Sequence, residues 1–134
     1  MGRTMIPTEA QEQETLFEWA RMKEGRYPEL ALLHAIPNGG SRHPVEAKHL
    51  KAQGVKAGIP DIFLPVARQG YHGLYIEMKR QKGGRVSVEQ KRMILALNEH
   101  GYKAVVCAGW EQAKAYIEWY LKTVGEKVDG IQPF

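Results

Sequence analysis

The sequence lacks several features that define large protein classes. One cysteine among 134 residues excludes an intramolecular disulfide and any metal cluster held by several cysteines. No apolar run approaches the roughly 20 residues that span a bilayer, and the first residues contain no apolar stretch as long as that of a secretory signal. Neither a GxGxxG fingerprint nor a Walker lysine loop is present, which disfavours a Rossmann-type nucleotide enzyme. We therefore expect a cytoplasmic protein that has no membrane partner.

The composition predicts one globular domain over residues 1–134, with a core at about 8–124 and a loosely held tail at 125–134. Hydrophobic residues make up 43% of the chain, which is too apolar for general disorder. The charge is unevenly distributed, because six cations and one acid lie between Lys79 and Arg92 in a chain whose net charge is +4. A second basic stretch runs from Arg42 to Lys56. Such clusters suit a phosphate-rich partner, although they also form ordinary solvated surfaces.

The order of the predicted elements indicates an α/β fold. Helices are predicted from Thr8 to about residue 25 and at 44–53, 87–100 and 111–124, and strands at 31–36, 61–66, 74–79 and 102–107. The short connection between the second and third strands predicts an antiparallel hairpin, and the helix between the third and fourth predicts a parallel crossover. The sequence thus predicts a mixed β-sheet flanked by helices.

Two acids and a lysine on the predicted hairpin form the most informative pattern. Side chains alternate along a strand, so Glu77 and Lys79 share one face, while Asp61 opens the partner strand directly after a proline. Strand pairing can bring Asp61 close to Glu77, and two adjacent carboxylates stay ionised cheaply only with a cation between them. Both carboxylates and the backbone carbonyl of Met78 can hold Mg²⁺, beside which Lys79 can orient or deprotonate an attacking water. A surface salt bridge between Lys79 and either acid explains the same residues without any chemistry.

Other polar residues extend the set of candidates. Gln90 lies on a helical stripe that is otherwise apolar, where it either orients a ligand or makes a core hydrogen bond. Glu9 begins the predicted inward stripe of the first helix, and Glu12 on an adjacent stripe is the alternative. The segment Asn38–Gly40 can approach a phosphate closely or form a plain turn.

Together these segments resemble the VRR-NUC branch of the PD-(D/E)XK nucleases. The resemblance rests on three segments in the family's order, namely Gly58–Asp61, Glu77–Lys79 and Ser87–Gln90. It extends to Glu9 with Gln13, to Ile36–Gly40 and to Leu50–Gly54, and covers roughly residues 8–115. The Val-Arg-Arg motif that gives the family its name is not present, since Lys79 is followed by Arg80, Gln81 and Lys82.

The resemblance implies a PD-(D/E)XK fold and a deoxyribonuclease that depends on Mg²⁺ or Mn²⁺. By position it implies metal ligands at Asp61, Glu77 and Glu9, a catalytic lysine at Lys79 and a supporting glutamine at Gln90. Small stand-alone members of the family resemble phage-encoded enzymes that act as homodimers on branched DNA such as four-way junctions. With the charge pattern, we expect DNA contacts at Asn38, Lys51, Arg80, Lys82, Arg85 and Lys91.

Two other functions stay open on the sequence alone. A non-catalytic nucleic-acid-binding module, in which the acids merely pair with neighbouring lysines, accounts for the same charges. A nuclease that acts on flaps or single strands accounts for the same site residues. Magnesium-dependent nicking of branched DNA distinguishes the first alternative from an enzyme.

Overall fold

In residues 5–37 and 43–122, which the computed structural model describes, the chain forms a four-stranded sheet with flanking helices. The strands are β1 (His34–Ala35), β2 (Ile62–Leu64), β3 (Leu74–Lys79) and β4 (Lys103–Ala108). The α-helices are α1 (Glu9–Met22), α2 (Pro44–Ala52), α3 (Val88–Glu99) and α4 (Trp110–Leu121), and a 3-10 helix spans Pro28–Leu32. The predicted mixed α/β fold is confirmed, whereas the segment Asn38–Gly40 and the tail at 125–134 lie outside the described residues. No helix in the described part of the chain is long and apolar enough to cross a membrane.

The sheet order is β1-β2-β3-β4, so β3 lies inside the sheet between an antiparallel and a parallel neighbour. Strand β2 pairs with β3 in antiparallel fashion, as a hairpin requires, and β3 pairs in parallel with β4. Helix α3 connects β3 to β4, since a parallel pair cannot be joined by a tight turn. The predicted hairpin and the predicted crossover are therefore both confirmed.

The two faces of β3 have different roles. Leu74, Ile76 and Met78 are fully buried in the apolar core, which helices α1 and α4 complete on that side of the sheet. Because side chains alternate along a strand, Glu77 and Lys79 point to the opposite face, where α3 packs against β4. The apolar core thus holds β3 in place, while Glu77 and Lys79 of β3 face the layer that contains α3.

Two predicted strands are shorter than expected. The strand predicted at 31–36 is wrong over its first half, because Ala31 and Leu32 belong to the 3-10 helix and only His34–Ala35 pairs with β2. Pro28 occupies the first turn of that helix, and local bonds such as Leu33 N–H to the Leu30 carbonyl (3.1 Å) replace sheet pairing. The strand predicted at 61–66 pairs only at Ile62–Leu64, since a proline flanks it on each side.

Side-chain amides cover part of the outer edge of β4. The Asn98 side chain accepts a hydrogen bond from the Ala104 N–H (3.0 Å) and donates one to the Ala104 carbonyl (3.1 Å). The Gln112 side chain accepts a hydrogen bond from the Ala108 N–H (2.9 Å). These bonds satisfy backbone groups that an edge strand otherwise presents to another chain.

Candidate active site

The end of the β2–β3 hairpin places Asp61 beside β3. Since Ile62 pairs with Ile76, the antiparallel register puts Asp61 opposite Glu77 and Pro60 opposite Met78. Pro60 has no N–H to donate to β3, so regular pairing ends there. The Asp61 side chain instead supplies an acceptor to β3, because its Oδ2 accepts a hydrogen bond from the Met78 N–H at 2.9 Å. The Met78 carbonyl lies on the same edge of β3 as its N–H and therefore faces the Asp61 side.

Gln90 links Glu77 to Lys79 on the α3 side of the sheet. Its Nε2 donates a hydrogen bond to Glu77 Oε2 at 2.9 Å, and its Oε1 accepts one from Lys79 Nζ at 3.0 Å. Lys79 Nζ also lies 3.5 Å from Glu77 Oε2. The side chains that the sequence predicted at Asp61, Glu77, Lys79 and Gln90 are thus brought to one place.

The carboxyl group of Glu77 is unfavourably placed for a negative charge. The residue is only 1% exposed, and burial raises the pKa of Glu77 from 4.5 to about 8, with the nearby charge of Asp61 as the second cause. The charge of Lys79 lowers this pKa but does not offset the burial. One carboxylate oxygen, Oε1, is buried and has no hydrogen-bond partner among the described residues. A buried oxygen without a partner is costly. In the metal-free protein a proton shared with Asp61 offsets this cost, and a bound cation would take the place of that proton.

These donors fit a hard divalent cation. Mg²⁺ and Mn²⁺ prefer oxygen ligands, and Mg²⁺ is commonly held by one or two carboxylates together with water and substrate phosphate oxygens. The carboxylates of Asp61 and Glu77 and the carbonyl of Met78 supply such a partial ligand set. Among the described residues no three acids, histidines or cysteines lie close enough to hold one ion. The remaining ligands would therefore be water and substrate.

The raised pKa of Glu77 predicts how stability of the metal-free protein depends on pH. Between about pH 4.5 and about pH 8 the folded state holds a proton that the unfolded state has released. The free energy of unfolding therefore falls as pH rises through this range. In Glu77→Gln this contribution is absent, so the melting temperature with EDTA at about pH 9 should exceed that of the wild type by at least about 4 °C.

The measurement is thermal unfolding of both proteins at about pH 5 and about pH 9 in the presence of EDTA. Glu18→Gln is the matched control, because Glu18 is an exposed acid on α1. Identical pH dependence in Glu77→Gln and the wild type would contradict a destabilising charge at Glu77.

The structure does not gather the acids of α1 at this site. The prediction that Glu9 begins the inward stripe is wrong, because Glu9 is exposed and the buried residues of α1 are Glu12, Leu16, Trp19 and Ala20. Among the described residues, Glu9 does not form a group with Asp61 and Glu77 that could hold one ion.

Glu12 instead joins α1 to the start of α4 and to the segment that follows β3. Its Oε1 accepts a hydrogen bond from the Trp110 N–H at the start of α4 (3.0 Å), and its Oε2 accepts one from the Gln81 side chain (2.8 Å). A carboxylate at a helix N-terminus is also favoured by the helix dipole. Sequence reasoning missed the contact with Gln81, since no local pattern connects positions that are 69 residues apart.

The predicted DNA-contact residues divide into two groups. The described ones are all exposed, namely Lys51, Arg80, Lys82, Arg85 and Lys91. Asn38 lies outside the described residues. Lys79 differs from the other cations of the basic cluster because it is 8% exposed and is bound to Gln90. The cluster therefore offers solvent-facing charges next to one buried amine.

Comparison with known proteins gives a consistent result. The family model of the VRR-NUC domain matches residues 4–111 of the chain. A solved structure described as a VRR_NUC domain protein is 33% identical to this chain and superposes with a TM-score of 0.74. That similarity covers 87% of this chain and 89% of the other. A search among curated proteins finds no significant match.

Proposed function

Because the chain belongs to the VRR-NUC domain family, a nuclease family, we propose that it is a divalent-metal-dependent endonuclease of structured DNA. The observation that carries the proposal is the convergence of two carboxylates and one amine at the end of β3. Glu77 holds a buried oxygen without a hydrogen-bond partner among the described residues, and Lys79 is fixed 3.5 Å from the same carboxyl group. A purely structural salt bridge needs neither the second acid nor the unsatisfied oxygen.

Asp61, Glu77 and the Met78 carbonyl would hold Mg²⁺ or Mn²⁺. When bound, the cation would polarise the scissile phosphate and make a water molecule a better nucleophile. The protein contributes two negative charges whose mutual repulsion the cation relieves, which raises its affinity for the site. Glu9 enters this ligand set only through the family resemblance and remains a prediction.

Lys79 would act on the phosphate itself. Its amine is held by Gln90 and Glu77, so it donates hydrogen bonds from a fixed position towards the charge that develops on the phosphate oxygens. In the hydrolysis, a water oxygen bonds to phosphorus as the bond to the 3′ oxygen breaks. The attacking water loses a proton to solvent, and the 3′ oxygen takes up a proton from solvent as it leaves. The products are a 5′-phosphate and a 3′-hydroxyl.

The exposed cations suggest how the DNA docks. Arg80, Lys82 and Arg85 follow β3 directly, and Lys91 lies on α3, whose first turn contacts the site through Gln90. Side chains of this type bind the sugar–phosphate backbone, which carries no base sequence but does differ in shape between linear and branched DNA. We propose branched DNA such as a four-way junction as the substrate, and a homodimer as the active form, because two copies supply the two cuts that a junction needs.

Cleavage of a panel of labelled DNAs tests the proposed function. Purified protein is incubated with linear, flapped, single-stranded and four-way substrates in Mg²⁺, in Mn²⁺ and in EDTA. We expect metal-dependent cleavage that is fastest on the four-way junction. Faster cleavage of flaps or single strands would show that these, and not four-way junctions, are the substrate. If no substrate is cleaved in either metal, the proposed nuclease function is overturned.

Binding without cleavage is the second candidate, and one observation favours it. Within residues 5–37 and 43–122 no third acid, histidine or cysteine groups with Asp61 and Glu77, so this part of the chain supplies few ligands. A binding module would retain junction affinity and would show no nicking in Mg²⁺ or Mn²⁺. The same panel, with a gel-shift measurement beside it, separates the two functions.

Salt dependence tests the basic cluster as the docking surface. Affinity falls as salt rises, and the slope of log affinity against log salt becomes less steep by about 0.9 for each phosphate-binding cation that is removed. The double variant Lys82→Ala with Arg85→Ala should therefore have a slope that is less steep by about 2. The measurement is junction affinity by fluorescence anisotropy over a range of salt concentrations. Lys23→Ala is the control, because Lys23 is an exposed cation at the end of α1. An unchanged slope in the double variant would contradict this docking surface.

A further inference from the structure

Helices α1 and α3 begin with the same hydrogen-bonded motif. In α3 the Ser87 hydroxyl accepts a hydrogen bond from the Gln90 N–H (3.1 Å), and the Gln90 side chain accepts one from the Ser87 N–H (2.9 Å). Thr8 and Gln11 make the equivalent pair of bonds at the start of α1. This capping box satisfies backbone N–H groups that a helix start leaves without partners.

The two capping boxes differ in what else the glutamine holds. The side-chain amide of Gln90 is also bonded to Lys79 through Oε1, the atom that the cap holds, and to Glu77 through Nε2. Because its Oε1 is shared between the Ser87 N–H and the Lys79 amine, the cap geometry sets where that oxygen lies. The start of α3 therefore fixes the relation between the lysine and the buried carboxyl group.

The same helix turn also contacts the segment that leads to Asp61. A Cβ atom at Gly58 would lie 2.5 Å from the Glu89 carbonyl oxygen and 3.0 Å from the Gln90 backbone nitrogen. Gly58 also has a φ of +90°, which L residues rarely adopt. The backbone of the Asp61 segment thus lies directly against the first turn of α3, and only glycine permits this approach.

We propose that Ser87 and Gly58 are positioning residues for the reaction, because they hold the first turn of α3 against both strands of the site. The Ser87 hydroxyl holds the Gln90 backbone N–H, and thereby the helix turn whose Gln90 side chain orients Lys79 and Glu77. Gly58 sets the distance between that turn and the Asp61 segment. This inference rests on the proposed nuclease function. Neither residue needs to touch the reacting atoms, so their effect is on geometry, to which transition-state stabilisation is highly sensitive.

The test at Ser87 compares two hydrogen-bonding side chains at opposite ends of one helix. Ser87→Ala should lower kcat for junction cleavage by about tenfold with little change in KM, and Ser87→Thr should restore it, since threonine also caps helices. Asn98→Ala is the control, because it removes bonds between α3 and β4 without contacting Gln90. The control should lose thermal stability but keep kcat within about twofold of the wild type. Equal kcat losses in Ser87→Ala and Asn98→Ala would overturn the proposal.

The test at Gly58 separates close approach from backbone strain. Gly58→Ala should lower kcat by at least about tenfold. Gly70→Ala is matched, because Gly70 also has a positive φ (+83°) but a Cβ there would meet nothing within 4 Å. Both variants should lose stability, and only Gly58→Ala should lose activity. A similar loss of kcat in both would assign the effect to strain alone.

A spectroscopic measurement keeps this proposal independent of the nuclease proposal. The side-chain amide resonances of Gln90 report its bonds to Glu77 and Lys79 by NMR. They should move towards solvent-exposed values in Ser87→Ala and Gly58→Ala, and stay in place in Asn98→Ala and Gly70→Ala. An unchanged Gln90 signal in Ser87→Ala would overturn the positioning role, whereas a wild-type protein that cuts no DNA would overturn only the nuclease.

Discussion

Glu77→Gln is expected to reduce metal-dependent DNA cleavage by at least about 10³-fold in kcat/KM while the protein remains folded. The substitution keeps the shape of the side chain and an oxygen that can accept the Gln90 bond, but it removes the charge that attracts the cation. Since the carboxylate is buried and costly to ionise, the folded protein has little to lose from its removal. Activity and stability should therefore change in opposite directions.

The measurement is cleavage of a four-way junction in Mg²⁺, together with thermal unfolding with and without the metal. Mg²⁺ should stabilise the wild type and leave the melting temperature of Glu77→Gln nearly unchanged, because binding to the folded state is what raises it. Glu18→Gln, an exposed acid replaced in the same way, should behave as the wild type in both measurements. Full activity in Glu77→Gln would reject Glu77 as a ligand.

Lys79→Met should lower kcat by about 10²- to 10³-fold with a smaller change in KM. Methionine retains a long apolar stem, which matters because Lys79 is nearly buried. Its stem is closely packed against Gly84, where an added Cβ would lie 3.0 Å from the Lys79 Cβ. The substitution removes the amine held 3.0 Å from Gln90. Binding of uncleaved junction should persist, since the exposed cations form the proposed docking surface.

Lys82→Met gives the opposite kinetic pattern and serves as the comparison. Lys82 is exposed and belongs to the proposed docking surface, so its loss should raise KM and leave kcat within about twofold. Single-turnover cleavage with saturating enzyme separates the two effects. If Lys79→Met changed only KM, Lys79 would be a docking residue and not part of the chemistry.

The hairpin residues could be predicted because strand geometry leaves little choice. Alternation along Leu74–Lys79 separates the apolar face from Glu77 and Lys79, and the short connection to the preceding strand forces an antiparallel pair. That register then puts Asp61 opposite Glu77. The approach of Gln90 followed from one polar residue on an otherwise apolar helical stripe.

The orientation of α1 could not be predicted in the same way. Two stripes, one beginning at Glu9 and the other at Glu12, share Leu16 and Ala20, so the sequence fits either orientation. Burial of Trp19 and the bond from Trp110 to Glu12 decide between them, and both depend on the tertiary packing of α4. The 3-10 helix at Pro28–Leu32 escaped prediction for a similar reason, because an apolar run of that length does not distinguish a strand from a helical turn.

The amide-covered edge of β4 limits how two copies of this chain can associate. A fifth strand added at that edge would have to break the two bonds from Asn98 to Ala104 and the bond between Gln112 and Ala108. A dimer built as one continuous eight-stranded sheet through β4 is therefore disfavoured. The other edge of the sheet is β1, which is only two residues long and offers little backbone for pairing. In the proposed homodimer, two copies that meet through side chains would set the spacing between their two cuts by packing, which can adjust to the angle between the arms of a junction.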